Sequence, residues 1–424
     1  MRFGTAQTTH QMKVDTMRAI DRWAGAPLCF ALTLLRRLSC GGGPRPPRRL
    51  LFIELSEMGS TILADPAMRK ARQLFGAEIF FVIFKRNAAS LEFLGTVPRT
   101  NVATIREDGL IALALDTLRF LVWARRQRID TVVDLELFSR FTALLTGLSG
   151  AANRVGFYRF HSEGLYRGEL LTHRVAYNPH IHMAKNFIAL VNALSAPRDE
   201  TPLSKARIGD GETGVPLAPV SEGAKADMKS RIVAVVPSYT AAFHRLVIFN
   251  PNASDLLPQR RWPLGHFAIL ARRVLAHWGN AIILITGAPS EEAEAEKLRV
   301  LVGHPRMVNF AGKCRLVELL ALYSIADVMV TNDSGPAHFA SVTSMPTIVL
   351  FGPETPVLYG SLGNSEAISA GLACSPCVSA ANHRKTACHN PVCMRAILPD
   401  RVFESVRMVL NERRLLADRS RLRL

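Results

Sequence analysis

Short apolar runs alternate with amphipathic stretches along most of the chain after residue 49. An apolar run followed by a longer amphipathic stretch is typical of a buried parallel strand with its crossover helix. In the first half this pattern predicts strands at 50–55, 78–84, 102–105, 131–135 and 153–157, and helices at 68–75 and 111–126.

The same alternation starts again after a segment rich in Pro, Gly and Ser. That segment, 196–238, predicts the connection between two domains. The fold class is therefore α/β, with two Rossmann-like domains at 49–230 and 231–410 that are expected to face a cleft. In the second half the predicted strands begin at Leu246 and lie at 281–286, 308–310, 327–331 and 347–351, with helices at 264–277, 291–301, 316–324 and 335–342.

The N-terminal segment 17–38 is apolar in its middle and basic at both ends. Its uncharged stretch runs only from Trp23 to Leu35, whereas a membrane-spanning helix needs about 20 apolar residues. The pattern favours an amphipathic helix buried shallowly in an anionic lipid surface, and the alternative is a helix packed on the protein's own core. Residues 41–47, GGGPRPP, predict a linker, so that 1–48 form a membrane-associating extension.

Charge adds to this picture at the two ends of the chain. The 424 residues are 48% hydrophobic and 21% charged, which excludes a disordered or fibrous chain. The formal net charge is +17, and much of the surplus lies in residues 1–50 and in the basic tail 411–424. The surplus indicates anionic partners, or ends that only aid solubility. No nucleic acid is expected, because neither interleaved basic and aromatic residues nor a nucleic-acid motif accompanies the charge.

Four of the seven cysteines cluster near the C-terminus, at Cys374, Cys377, Cys388 and Cys393. The first pair has the CxxC spacing of a metal chelate, so a structural zinc site is one interpretation. The second pair is spaced one residue wider than usual, which leaves reduced thiols or a disulfide as alternatives. His383 and His389 lie in the same segment.

The sharpest motif is VTNDSGPAHFA at 330–340, where a predicted strand runs into a predicted helix. Ser334 is a good N-cap, Gly335 permits close approach of a ligand to the backbone, and Pro336 suits the first helical turn. His338 could donate a hydrogen bond to a phosphate, and the alternative is a partly buried histidine in an ordinary capped helix. The chain shows no GxGxxG after a strand and no P-loop, which disfavours simple dehydrogenases and P-loop NTPases.

This motif, followed by MPTIVLFGPETP and preceded by FAGKCRLVELLALYSIADVMV, resembles the bacterial heptosyltransferase family of lipopolysaccharide glycosyltransferases. The resemblance covers 49–397 and includes IELSEMGSTILADPAMRKAR, DTVVDLELFSR, NRVGF and the CSPC cluster. It implies the GT-B fold and an inverting transfer of a sugar, heptose by family default, from a nucleotide diphosphate. It also implies a lipid-linked or lipopolysaccharide-type acceptor at the inner face of the bacterial cytoplasmic membrane, with no metal or other cofactor required.

The same resemblance assigns the donor site. Arg260 stands where the family usually has a Lys aimed at the phosphates, and the alternative is that Arg260 and Arg261 only solvate a helix start. Residues that follow two other strands of the second half are expected in the same crevice. The residues expected at the donor are Asp333, Ser334, Gly335, His338, Arg260, Asn250, Thr286 and Gly287.

The chain departs from the family at the turn after its first strand. Heptosyltransferases place an Asp after the Gly of this turn as the expected base, and here Ser60 follows Gly59. Because serine cannot take a proton at neutral pH without a partner, another carboxylate must act or the enzyme is impaired. Glu57 in the same turn is the preferred base over Glu54 and Asp65. The alternative function is a non-catalytic, membrane-associated relative that binds nucleotide or saccharide.

One acidic pair resembles a metal-binding Asp-x-Asp motif without matching it. Asp134 and Glu136 flank Leu135 at the end of a predicted strand, and we interpret them as an edge of the expected cleft.

Overall fold

The computed structural model of the chain describes residues 14–38, 43, 45–137, 139–158, 165–197, 200–379, 382 and 384–421, with backbone alone for 14, 15 and 413–421. It divides into two compact units, Met1–Thr213 and Gly214–Leu424. The predicted boundary after residue 230 falls inside the helix Glu222–Val235, which belongs to the second unit. The helix was not predicted because the segment 196–238 is rich in Pro, Gly and Ser, which favour loops.

The first unit is built on a six-stranded sheet in the order β3-β2-β1-β4-β5-β6, with every described pair parallel. The strands are β1 (Arg49–Ile53), β2 (Glu78–Phe84), β3 (Val102–Ile105), β4 (Thr131–Asp134), β5 (Asn153–Tyr158) and β6 (His173–Ala176). The helices are α1 (Val14–Ile20), α2 (Ala26–Leu38), α3 (Met58–Phe75), α4 (Leu110–Arg126), α5 (Arg140–Leu148) and α6 (Met183–Asn192).

The second unit repeats this architecture in the order β12-β11-β10-β7-β8-β9, again parallel throughout the described pairs. Its strands are β7 (Arg245–Asn250), β8 (Ala281–Ile285), β9 (Met307–Asn309), β10 (Val328–Asn332), β11 (Thr347–Phe351) and β12 (Ser365–Ser369). Its helices are α7 (Glu222–Val235), α8 (Leu264–His277), α9 (Glu292–Val302), α10 (Leu319–Ile325), α11 (Gly335–Ala340), α12 (Pro356–Tyr359), α13 (Val392–Arg395) and α14 (Pro399–Arg421).

Both sheets have the Rossmann strand order, so the predicted α/β fold with two Rossmann-like domains is confirmed. In each sheet the order reverses beside the first strand, between β1 and β4 in one unit and between β7 and β10 in the other. Ligands of doubly wound sheets bind outside the carboxyl ends of the strands at such a reversal. Ligand-binding residues are therefore expected at these two edges.

Helix α3 starts ten residues earlier than the helix predicted at 68–75. It begins at Met58, directly after the turn that follows β1, and it continues through Pro66. Gly59, expected in the turn after the first strand, is therefore part of the first helical turn. The helix ends at Phe75 and is capped by Gly76, whose left-handed φ of 60° lets its amide donate to the carbonyl of Arg72. The early start brings Glu57 and Ser60 to the carboxyl edge of the sheet.

The N-terminal helix α2 is packed on the first unit rather than held away from it by a linker. Cys29 is fully buried with Ala143 and Leu170, and Asp21, in the π-helical turn before α2, pairs with Arg140 at the start of α5. The face of α2 that carries Cys29 is therefore packed on the core of the protein, which was the alternative to a lipid-bound helix. The opposite side of this segment is exposed, with Trp23 of the π-helical turn at 75% and Phe30 of α2 at 56%. Among the described helices none is both long and apolar enough to cross a bilayer.

Candidate functional site

Three glutamates follow the adjacent strands β1 and β4. Because Ile53 pairs with Asp134, the residues after these strands lie side by side. Glu54 is buried, and its Oε1 accepts from the amide of Glu57 at 3.4 Å. Oε1 of Glu136 accepts from the amide of Leu55 at 3.2 Å and from the amide and hydroxyl of Ser56, the latter at 2.8 Å. Glu136 therefore holds the turn that carries Glu57.

Glu57 and Ser60 form a hydrogen-bonded pair in the turn where the resemblance leads us to expect the base. The hydroxyl of buried Ser60 donates to Oε2 of exposed Glu57 at 3.1 Å. Ser60 thus contributes a hydrogen-bond donor where the resemblance expects a carboxylate, and it orients the carboxylate that the same turn carries three residues earlier. Asp65, the other alternative, is fully buried and occupied by Arg69 and Thr96.

Burial raises the pKa of Glu54 well above its ordinary value, and the nearby carboxylates of Glu136 and Glu57 raise it further. Burial is also the largest cause of the raised pKa of Glu136. The raised pKa favours the protonated form of Glu54. A protonated Glu54 leaves less negative charge beside Glu57. We interpreted Glu136 from sequence only as a cleft edge, although the Rossmann strand order itself places β1 beside β4.

Replacing Glu54 by Gln is expected to change how stability depends on pH. The folded state binds the Glu54 proton more tightly than the unfolded chain does, because the folded pKa is raised. Its contribution to the free energy of unfolding is therefore full below the unfolded pKa and is lost as pH rises through the folded pKa. Gln keeps the uncharged shape at every pH, so Glu54→Gln should gain stability relative to the wild type as pH increases.

Urea midpoints measured across a pH series test this prediction. Glu92→Gln is the matched control, because Glu92 is an exposed residue paired only with Arg99 at the surface in the described contacts. Parallel pH profiles for the wild type and Glu54→Gln would contradict the raised pKa of Glu54.

In the second unit, Arg260 lies at the carboxyl edge beside Asp333. Its Nη1 is 3.6 Å from Oδ2 of Asp333, and the two side chains are 14% and 6% exposed. The Nε of Arg260 is buried and has no hydrogen-bond partner among the described residues. Arg261 turns away, donates to the carbonyl of Ala253 and pairs with Asp255. The alternative in which both arginines only solvate a helix start therefore does not hold for Arg260.

Glu354 joins this cluster, and sequence reasoning missed it. Its motif, LFGPETP, contributed to the sequence-based prediction only as part of the family resemblance. Glu354 is buried, its Oε1 accepts from Nε of Arg384 at 3.0 Å, and its Oε2 has no hydrogen-bond partner among the described residues. Burial raises the pKa of Glu354, Arg384 lowers it, and Asp333 raises it again. Since a carboxylate repels a diphosphate, Asp333 and Glu354 would act by orienting arginines or by accepting from hydroxyl groups.

The helix predicted at 335–342 is the short helix α11. Ser334 occupies its N-cap position as predicted, but its hydroxyl donates to the carbonyl of Asn332 at 3.1 Å instead of accepting from the first turn. His338 is buried in this helix at 8% exposure, and Gly335 leaves room for the ring of Phe339, which a Cβ would approach to 3.3 Å. Their contact with a donor stays a prediction.

Asn250, Thr286 and Gly287 lie together at the ends of β7 and β8. The Asn250 side-chain amide donates to the carbonyl and hydroxyl of Thr286, both at 3.2 Å. A Cβ on Gly287 would lie 2.7 Å from Nδ2 of Asn252. The side chains of this group thus hold the loops, which leaves the loop backbone to meet a ligand.

Asn332 is a positioning residue that the motif analysis did not single out. It is fully buried at the end of β10, accepts from the amide of Trp262 at 3.0 Å and donates to the carbonyl of Pro251 at 2.7 Å. It therefore joins three loops at the carboxyl edge, including the one that carries Arg260. No sequence signal distinguished it from its neighbours.

The four clustered cysteines are free thiols in the structure. Within the described residues no group of three or more His, Cys, Asp or Glu side chains is arranged to hold a metal ion. The possible zinc site is therefore not supported by these residues, and His383 lies outside the part of the chain that is described. The Cys377 amide donates to the carbonyl of Pro353 at 3.0 Å, so this segment is braced beside Glu354.

The chain is similar in sequence to a family of glycosyltransferases. The family model described as glycosyltransferase family 9 (heptosyltransferase) matches residues 124–387. Lipopolysaccharide heptosyltransferase 2 of Salmonella typhimurium is 33% identical over 144 residues, which cover 33% of this chain and 39% of that protein. Lipooligosaccharide heptosyltransferase 2 of Campylobacter jejuni is 28% identical over 179 residues, which cover 40% of this chain and 53% of that protein. The chain thus matches no more than 53% of the length of either relative.

Two solved structures share the fold over most of the chain. The E. coli ADP-heptose lps heptosyltransferase II has a TM-score of 0.65 at 20% identity and covers 86% of this chain and 99% of its own. The E. coli heptosyltransferase WaaC with ADP has a TM-score of 0.58 at 16% identity, with coverages of 85% and 99%. At these identities the likeness concerns the fold alone.

Proposed function

Because this chain belongs to glycosyltransferase family 9, the heptosyltransferase family, we propose that it is an inverting glycosyltransferase. It transfers a sugar, heptose by family default, from a nucleotide diphosphate to a lipid-linked or lipopolysaccharide-type saccharide. The observation that carries the proposal is Arg260, a largely buried cation with an unpartnered Nε at the strand-order reversal of the second unit. A buried guanidinium of this kind suits a phosphate, which it can bind through two parallel hydrogen bonds.

In the proposed reaction the acceptor hydroxyl attacks the anomeric carbon in a single displacement, which inverts its configuration. Glu57 takes the hydroxyl proton as the new carbon–oxygen bond forms, and Ser60 holds the carboxylate by its hydrogen bond of 3.1 Å. The bond from the anomeric carbon to the diphosphate breaks, and the electron pair leaves with the phosphate oxygen. Arg260 offsets the negative charge that develops there, so the scheme needs no metal ion.

The donor proposal extends to the nucleotide. The E. coli relative of similar fold was solved with ADP, and we assign an adenosine diphosphate sugar as the first candidate here. We assign Oε2 of Glu354, a buried atom without a partner among the described residues, to accept a hydrogen bond from a hydroxyl of the donor.

The proposed place of action is the inner face of the bacterial cytoplasmic membrane, as a peripheral protein. The exposed side of the N-terminal segment supports it, since Trp23 of the π-helical turn and Phe30 and Leu34 of α2 are exposed while Cys29 packs on the body. Arg22 and Arg37 lie near the two ends of this face, as expected at an anionic lipid surface.

A second candidate is the non-catalytic relative that binds nucleotide or saccharide without turnover. The substitution of Ser60 for the expected Asp favours it. It differs from the leading proposal in one measurable respect, because it predicts donor binding without release of the nucleotide in the presence of an acceptor.

The experiment that tests both uses the full chain and a panel of nucleotide sugars. ADP-heptose should raise the Tm in a dose-dependent way, and ADP should then be released only when a core-truncated lipopolysaccharide is added. Binding without release would select the non-catalytic relative. Failure of every nucleotide sugar in the panel to bind would overturn both proposals.

A further inference from the structure

Helix α4 carries an apolar stripe on the side that faces away from the sheet. The stripe consists of Ile111, Leu115, Leu118 and Val122, which are 79%, 47%, 61% and 49% exposed. Their spacing of four, three and four residues places them on one helical face. The opposite side of α4 packs into the core through Phe120, Leu121 and Ala124. The hydrophobic pattern predicted the helix α4, but it did not predict that part of the apolar surface of α4 is exposed to solvent.

A basic pocket lies at the C-terminal end of the same helix. It has a volume of about 590 Å³ and is lined by Arg48, Arg49, Arg126, Arg128 and Asp130. In the described contacts Arg48 and Arg128 hydrogen-bond only through their backbone groups. No hydrogen bond or ion pair of the Arg126 guanidinium is found among the described residues, which leaves all three guanidinium groups open to a ligand. Asp130, the acid of the pocket, is occupied by the amides of Arg48 and Arg49 at 3.1 and 2.9 Å.

The backbone at Arg128 is held in the left-handed region, with φ at 53°. This conformation is costly for a residue with a Cβ other than Asn or Asp. Arg128 nevertheless adopts it, and its guanidinium is the third unpaired cation of the pocket among the described contacts. The pocket is at the amino end of β1 and β4, whereas Glu57 follows the carboxyl end of β1. It is therefore separate from the candidate catalytic edge.

The stripe lies on the same layer of the first unit as the N-terminal helices. Met17 of α1 packs against the cluster that contains Phe120 and Leu121 of α4, and α2 packs on α5. Two exposed apolar faces, one on α2 and one on α4, thus belong to one side of the unit. Only the α2 face was expected from the sequence.

We propose that the stripe of α4 and the basic pocket at its end together form a docking surface for an anionic lipid bilayer, with the stripe in the acyl boundary and the pocket on lipid phosphates. The inference rests on the proposed membrane location and names a second contact for it. Charge complementarity selects this occupant: a bilayer surface presents apolar and anionic groups side by side, as this surface requires. A soluble anion would use the pocket alone and leave the stripe exposed.

The test is flotation of the full-length protein with vesicles of phosphatidylglycerol and phosphatidylethanolamine, compared with vesicles of phosphatidylcholine. Arg126→Gln combined with Arg128→Asn should weaken binding to the anionic vesicles about 30-fold, and Asn suits the left-handed backbone at 128. Ile111→Asn with Leu118→Asn should weaken binding roughly 10-fold. Both pairs lie at the surface, so the fold should survive, which circular dichroism checks.

Matched controls come from the same unit. Leu203→Asn removes another exposed leucine, at 59% exposure, and Lys205→Gln with Arg207→Gln removes two exposed cations elsewhere. Both controls should float like the wild type. Raised salt should weaken the wild type more than the Arg126/Arg128 variant, because the headgroup contact is screened.

The outcomes separate this inference from the proposals on which it rests. If Trp23→Asn with Phe30→Asn abolishes flotation while the α4 and pocket variants float normally, the membrane location holds and the α4 surface is wrong. If the wild type does not float at all, both fail. A dimer that only the α4 variant dissociates, seen by light scattering without vesicles, would assign the stripe to a second copy and overturn the inference. ADP-heptose binding without vesicles reports the glycosyltransferase proposal independently.

Discussion

Replacement of Glu57 by Gln is expected to lower the turnover of sugar transfer by roughly 100- to 10,000-fold, the usual contribution of a general base. The amide keeps the size of the carboxylate and can still accept from Ser60, whose hydroxyl lies 3.1 Å from Oε2 in the native chain. It cannot take the proton of an acceptor hydroxyl. Donor affinity should stay near the wild type, because the donor residues that we propose belong to the second unit.

Steady-state kcat and KM for donor and acceptor, together with donor binding by calorimetry, measure these two effects separately. Glu92→Gln is again the matched control and should retain full turnover. A second variant sharpens the assignment: Ser60→Asp in the Glu57→Gln background puts a carboxylate back where the family expects it, and part of the activity should return. Undiminished turnover in Glu57→Gln would reject Glu57 as the base.

Replacement of Arg260 by Ala is expected to be the most damaging change at the donor site. It removes the guanidinium proposed for the diphosphate. It also removes the ion-pair partner that lies 3.6 Å from the largely buried Asp333 carboxylate in the native chain. Truncating one partner of a buried charge pair between protein and ligand, here the proposed guanidinium–phosphate pair, costs roughly 2–5 kcal/mol of binding free energy. This corresponds to about 30- to several-thousand-fold weaker binding. Arg260→Lys should lose less, because it keeps the charge but not the planar fork.

Isothermal calorimetry with ADP measures this loss without turnover. Arg299→Ala is the charge-matched control, because Arg299 is a surface residue paired with Glu296 on α9 and lies in the same unit. Urea unfolding of Arg260→Ala checks that the fold persists. Equal ADP affinity for Arg260→Ala and the control would remove Arg260 from the donor site.

The strands were the most predictable part of the fold. Strands β2, β3 and β11 were predicted with the bounds that the structure has. For β2 and β11 the reason is that parallel strands buried on both faces are continuous apolar runs bounded by polar residues. Strand β3 lies at the edge of its sheet and is only partly buried. Helices were less predictable where their apolar face is interrupted. The start of α3 was missed by ten residues because Gly59 and Pro66 are ordinarily helix breakers. Helix α7 was hidden in a segment rich in Pro and Gly.

The candidate site was predictable where a motif is contiguous and unpredictable where partners come from distant segments. Glu57 and Ser60 are three residues apart, so one helical turn brings them together. Glu54 and Glu136 are joined only by the pairing of β1 with β4, and Arg260 meets Asp333 only because their loops end at one edge of the second sheet. Asn332 and Glu354 became visible as members of the site through their burial and partners.

The sequence by itself thus determined two Rossmann-like halves, the family resemblance and the residue types available for donor and acceptor chemistry. Periodicity and local motifs carry that information because they depend on neighbours in the chain. Only the tertiary structure decided that α2 is docked by one face, that the cysteines form no metal group among the described residues, and that α4 leaves an apolar stripe outside beside unpaired arginines. The burial of a side chain, its ion pairs and its pKa depend on contacts between segments that are distant in sequence, and only tertiary packing determines those contacts.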